Sequence, residues 1–213
     1  MSALPRKAEA RFNIFYGQHS LKINQMKSVS IKERQNKAYE SLKGEFGYKN
    51  KMAAPKLVKI AVSSGIGSAV KKDKNKGEFI AGRLAKITGQ KPVARAAKKA
   101  IATWKTRQGE TLGYLATLRG SRMYSFLDKL FNVSLPRTKD FRGISRGAVD
   151  AIGNLTIGIK ENNIFPETSD EELKDVFGFA ITLVSTAKNK KEATAFFELL
   201  GVPFKKEEEK KRK

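Results

Sequence analysis

The chain has 213 residues, with 43 Lys or Arg against 21 Asp or Glu and a formal charge of +22. It holds no cysteine, which excludes disulfides and thiolate metal sites, and its single histidine, His19, lacks partners for a triad or a His-cluster metal site and reads as an exposed bystander. Hydrophobic residues make up 40%, enough for one good core, and a cation surplus gathered in blocks favours a polyanion, since each phosphate neutralised releases condensed counterions.

In chain order, residues 1–27 are basic, carry one acid and show little periodicity. They read as an N-terminal extension without structure of its own, with an organelle transit peptide and an arm that orders on RNA as the two alternatives. Ser30-Ile31-Lys32-Glu33 has the capping-box pattern and opens a helix running to about Lys43. Lys56 to Val62 reads as a strand, ended by the turn-like Ser63-Ser64-Gly65-Ile66-Gly67. Glu78 to Ile87 reads as a second helix, with Ile80, Leu84 and Ile87 on one face and Gly89 as its stop.

Next comes a span without any acid. Between Phe79 and Gly109 stand eight Lys or Arg residues and no Asp or Glu, so the segment repels itself unless a polyanion is present. Thr111 to Arg119 has the strand pattern, which places Thr117 and Arg119 on one face. Ser121 to Phe131 reads as a third helix with a core stripe of Met123, Phe126, Leu127, Leu130 and Phe131. Leu155 to Ile159 and Phe177 to Ser185 read as strands, and Lys190 to Leu200 as the last helix. Strands and helices interleaved without regular βαβ repetition predict one α+β domain, with a mostly antiparallel sheet and helices on one face. The alternating-charge residues 205–213 form a C-terminal tail.

Catalytic signals are weak. Gly65-Ile66-Gly67 follows a strand as a dinucleotide fingerprint would, but Val70 stands where the third glycine belongs. No glycine loop ending in Lys-Ser or Lys-Thr occurs, and the acids from Glu167 to Asp175 suit a helix start or loop. The expectation is a protein that is not an enzyme and uses no cofactor or metal. No long apolar run or strongly amphipathic basic helix suggests a membrane partner.

The basic residues form two groups. Lys98, Lys99, Lys105 and Arg107 surround Trp104 in a segment that reads as a projecting hairpin or loop. Its charges suit phosphates, and Trp104 either stacks on a base or anchors the hairpin or core. Arg137, Lys139 and Arg142, with Arg146 beyond, lie in a Pro- and Gly-bearing loop suited to RNA backbone, unless Asp140 pairs with Arg137 or Arg142.

Several short segments recur in a familiar order: Gly89-Gln90-Lys91-Pro92, Lys105-Thr106-Arg107-Gln108-Gly109, Thr117-Leu118-Arg119-Gly120 and Pro136 to Gly143. They are followed by Gly153-Asn154, Ile164-Phe165-Pro166-Glu167 and Thr186-Ala187-Lys188. Together they resemble the bacterial-type large-subunit ribosomal protein L-five family, over residues 28–204. That family holds 5S rRNA in the central protuberance of the large subunit.

The resemblance implies that Gln90, Thr117 and Arg119 contact 5S rRNA. Ser63 stands where the family usually has Asn, keeping a hydrogen-bonding oxygen without the amide fork. It implies that the Ala97–Gln108 loop reaches peptidyl-site tRNA, with Lys98, Lys99, Trp104, Lys105 and Arg107 as contacts. Lys98 replaces Arg, Ala100 Ser, Thr103 Gly and Trp104 Phe of the usual pattern, which keeps charge but changes the recognition geometry. Lys91, Arg137, Lys139 and Arg142 are further rRNA candidates. The implied partners are 5S rRNA, large-subunit rRNA, tRNA and neighbouring ribosomal proteins, including a small-subunit head protein. The location implied is a cytoplasmic ribosome, or an organellar one if the extension is a transit peptide. The competing reading is a non-ribosomal RNA-binding or RNA-chaperone module on the same fold.

Overall fold

The computed structural model describes residues 30–70, 75–168 and 176–205. The expected extension over 1–27, the residues 206–213 of the expected tail, and the acids within 169–175 lie outside the described residues. Five strands form one antiparallel sheet: β1 (Leu57–Gly65), β2 (Val93–Ala96), β3 (Thr111–Leu118), β4 (Leu155–Ile159) and β5 (Phe179–Ser185). Their order across the sheet is β2-β3-β1-β5-β4. Among the described residues four main helices, α1 (Ile31–Phe46), α2 (Lys76–Thr88), α3 (Gly120–Lys129) and α4 (Lys190–Leu200), accompany it, and together they make the expected single α+β domain.

Alternation decides which sheet face the helices cover. Leu118, Ile60, Leu183 and Leu155 form one register row across β3, β1, β5 and β4, and all four are buried. Ala116, Val62, Ile181 and Ile157 form the next buried row. The helices supply the other half of the core through Leu42, Leu84, Leu127, Phe196 and Phe197. Phe165 is fully buried, with its ring 6.1 Å from that of Phe126 and 5.8 Å from that of Phe179. Truncating such a side chain to Ala costs about 3–5 kcal/mol.

Helix ends are tied to other elements. Ser30 caps α1 by accepting from the Glu33 amide, as the capping box requires, while Asp128 of α3 accepts from the Ile31 amide at 3.1 Å. Arg34 donates to the Leu200 carbonyl at the end of α4, where a cation complements the helix dipole. Gln35 joins three elements, accepting from the Leu57 amide and donating to the Tyr124 hydroxyl.

Three expectations need correction. Ser63, Ser64 and Gly65 do not form a turn: β1 continues through them, and a single helical turn, Gly67–Val70, follows Ile66. β1 is central and paired on both sides, and the buried Ser64 hydroxyl donates to the Gly178 carbonyl, so pairing overrides the turn-like composition. The third helix ends at Lys129, and a π turn (Leu130–Ser134) and a 3-10 turn (Leu135–Arg137) carry the chain on. β2, inside the acid-free span, was not expected at all.

Candidate nucleic-acid interface

The face opposite the helices carries mostly small and polar side chains, with Val93 and Leu115 as larger apolar ones. One of its rows runs Thr117, Ala61, Thr182, Thr156, and the neighbouring row runs Val93, Leu115, Ser63, Ala180, Gly158. Ser63 faces Leu115, so Thr117 is its diagonal neighbour, about 7–8 Å away. Arg119 follows β3 in extended conformation and is exposed, on the side shared with Thr117. Sequence alternation therefore placed Thr117 and Arg119 on one side, and the structure adds Ser63 to them.

Gln90 stands in a pinned turn just before β2. Gly89 ends α2 in left-handed conformation (φ 66°), and the buried Thr88 hydroxyl donates to the carbonyls of Leu84 and Gln90. The Thr88 oxygen also accepts from the Gln90 amide, and the buried Pro92 fixes the next step. β2 then pairs antiparallel to β3 with Val93 opposite Leu115, which brings Gln90 and the exposed Lys91 to the Arg119 end of β3. Ser63, Thr117 and Arg119 thus lie on one side of the sheet, and Gln90 stands in the turn that leads into its edge strand.

At the other end of β3 the chain makes a cation-bearing arm. Ala97 and Glu110 continue the β2–β3 pairing, and Ile101 and Thr106 exchange backbone hydrogen bonds at 3.2 Å each. Lys105 turns the tip with φ 49°. Lys98, Lys99, Lys105 and Arg107 are exposed, and Trp104 is 67% exposed. The core-packing reading of Trp104 is thereby excluded. Glu110, the acid at the base, accepts from the Arg107 amide, and among the described residues no acid side chain pairs with Lys98, Lys99, Lys105 or Arg107. β3 separates this arm from Arg119 by roughly 24 Å of extended chain.

The third group stands elsewhere. Arg137, Lys139 and Arg142 are exposed after α3, in a segment that Ile144 and Phe204 fasten by a parallel bridge. Neither Arg137 nor Arg142 pairs with Asp140, while Arg146 binds Glu198 at 2.9 Å. Thr182 and Thr156, whose hydroxyls lie 3.2 Å apart on the Thr117 row, were passed over in the sequence. The alternation of β5 alone would have turned Thr182 outward. No cluster of metal-ligating side chains occurs among the described residues, and no helix of them is long and apolar enough to cross a membrane.

These features define a class: a strongly basic α+β protein with one sheet face that no described element covers and one cationic arm. Two family models match in succession, Ribosomal protein L5 over residues 50–107 and the ribosomal L5P family C-terminus over residues 111–204. Their junction falls on the returning strand of the arm. The large ribosomal subunit protein uL5 of Desulforamulus reducens is 48% identical over 169 residues, covering 79% of this chain and 93% of the relative. That of Ureaplasma parvum is 47% identical over 171 residues, covering 80% and 92%. That of Anaeromyxobacter sp. (strain K) is 44% identical over 182 residues, covering 84% and 99%. The chain belongs to the ribosomal protein L5 family, the uL5 proteins of the large ribosomal subunit. These relatives are ribosomal proteins, not enzymes.

Proposed function

We propose that the protein binds 5S rRNA on its open sheet face, anchors it in the large subunit, and contacts peptidyl-site tRNA with its arm. The observation that carries this reading is the placement of Ser63, Thr117 and Arg119 on the sheet face that the described helices leave open, with Gln90 just before the edge strand β2. Small neighbours such as Ala61, Ala180 and Gly158 keep that face low, so a backbone can approach closely. Hydroxyl, amide and guanidinium groups supply donors for 2′-hydroxyls and phosphates, the groups displayed by the shallow groove of an RNA helix.

The arm serves a different partner because it stands at the far end of β3. Lys98, Lys99, Lys105 and Arg107 neutralise phosphates, and the exposed Trp104 offers a ring for stacking on a base or ribose. Lys91, Arg137, Lys139 and Arg142 extend the contacts to large-subunit rRNA. The protein works in the ribosome, which this reading places in the cytoplasm, and its other neighbours are ribosomal proteins, one of them in the small-subunit head. Residues 1–27 and 205–213 flank the rRNA-binding domain of residues 28–204 as basic extension and charged tail. Arg119→Ala tests the reading: 5S rRNA binding weakens while circular dichroism stays that of the parent. Loss of binding that appears only with loss of the fold would refute the assignment.

A further inference from the structure

Lys59 is a second cation on the open sheet face, beside Arg119. It lies on β1, where alternation turns it to the side of Ala61 and Ser63 while Ile60 and Val62 enter the core. Its register partner on β5 is Val184, with Thr182 on the diagonal. Toward β3, Ile60 pairs with Leu118, so the same register carried one residue further sets Lys59 opposite Arg119, with Thr117 on the diagonal. Arg119 continues β3 in extended conformation (φ −141°, ψ 164°), which preserves that alignment.

Two cations in this position repel. Side chains directly opposite on neighbouring strands have Cβ atoms about 4.5–5.5 Å apart, and like charges there destabilise the sheet. None of the five strands contains an acid, and among the described residues no acid side chain pairs with Lys59 or Arg119. Asp150 stands at the far end of the row, beside Asn154, two strand spacings or roughly 10 Å from Lys59. Its oxygens are already taken by the amides of Ile152 and Asn154 and by the Asn154 side chain. Residues 169–175, with their acids, join the described fold at Thr168 and Val176, and Val176 leads to the Phe179 end of β5. That end is roughly 17 Å along the strand from Val184. A like-charged pair on an open face, without a counter-ion among the described residues, suits a ligand that brings the anion.

We infer that Lys59 and Arg119 together hold a backbone phosphate of the RNA lying on the sheet face. The inference rests on the sheet-face reading above and deepens it, by adding a cation of the central strand and giving Arg119 a phosphate as its target. The bound phosphate converts one repulsion into two attractions. Thr117 and Thr182, on the two diagonals of Lys59, offer hydroxyls to the riboses beside that phosphate. The bond between Thr182 and Thr156 uses one hydroxyl hydrogen and leaves the other free to donate to the RNA.

The test uses the full chain and compares the parent, Lys59→Gln, and a charge-matched control, Lys190→Gln, on the exposed start of α4. On 5S rRNA, Lys59→Gln should lose roughly 12- to 150-fold in affinity, with a slope of log affinity against log salt shallower by about 0.7–0.9. Without RNA and at low salt, the same variant should melt about 1–4 °C higher than the parent, because the repulsion is gone. In an Arg119→Gln background Lys59→Gln should not raise the melting temperature further, since the pair is already broken. The control should keep the parent's affinity and slope. A loss of affinity no greater than that of the control would overturn the inference. So would a melting temperature that falls on Lys59→Gln, which would reveal a partner for Lys59 within the fold. In either case the sheet-face reading stands as long as Arg119→Ala still weakens binding. A parent that does not prefer 5S rRNA to an unrelated RNA would overturn both.

Discussion

Thr117→Val removes one hydroxyl and keeps the shape of the side chain. Within the protein that hydroxyl bonds to no described residue, and Thr117 is half-buried opposite Ala61 on a face that no described element covers. A β-branched valine suits the same strand position, so stability should change by no more than about 0.5 kcal/mol. If Thr117 bonds to RNA, the loss is that of one neutral hydrogen bond, about 0.5–1.5 kcal/mol. That corresponds to roughly 2- to 12-fold in dissociation constant. Because no charge is removed, the salt slope should not move. Arg119→Ala provides the contrast: a charged bond is worth about 1.5–3 kcal/mol, roughly 12- to 150-fold, and its loss should reduce the slope by about 0.7–0.9. Filter binding on 5S rRNA at four salt concentrations, with thermal melts of each protein, measures all of these quantities. Unchanged affinity for Thr117→Val would refute the reasoning. So would a fall in its melting temperature large enough to explain the lost affinity.

Replacing Lys98, Lys99, Lys105 and Arg107 by Gln should leave the preference for 5S rRNA over unrelated RNA intact and impair translation, measured with ribosomes carrying the variant. Loss of that preference would contradict two separate sites. Gly153→Ala should lower the melting temperature by roughly 3–10 °C, because Gly153 has φ 94° and an added Cβ would lie 2.8 Å from the Ala187 carbonyl oxygen. Gly158→Ala, which meets nothing within 4 Å, should change it little. Tyr48 donates to the buried Glu192, and burial followed by that bond raises the phenol's pKa. Its contribution to stability is therefore complete below the unfolded value of about 10 and is lost as pH rises beyond it. Tyr48→Phe should be less stable at neutral pH and should lose less stability than the parent between pH 9 and 11, read from melting temperatures at each pH.

The elements legible in the sequence were those with local signals. β4 alternates strictly, α4 carries a regular apolar stripe, and Ser30 with Glu33 marks the start of α1, so these ends agreed closely with the structure. β2 escaped because all four of its residues are exposed and pair only with β3, leaving no hydrophobic period to read. The extension of β1 through Ser63 escaped because its cause is non-local: pairing on both sides and the bond from Ser64 to Gly178. The same division applies to the site. Thr117 and Arg119 could be put together from the period of one strand. Adding Ser63, Thr182 and Thr156 requires the order β3-β1-β5-β4, which no local pattern contains.

The most direct test of the account is the affinity of the protein for 5S rRNA beside that for an equal-length, unrelated structured RNA, titrated with salt. A preference of about a hundredfold that persists as salt rises is the predicted result, since hydrogen bonds from Thr117 and its neighbours are not screened as charges are. Equal affinities that fall together with salt would contradict it, leaving only a polycation that holds any RNA.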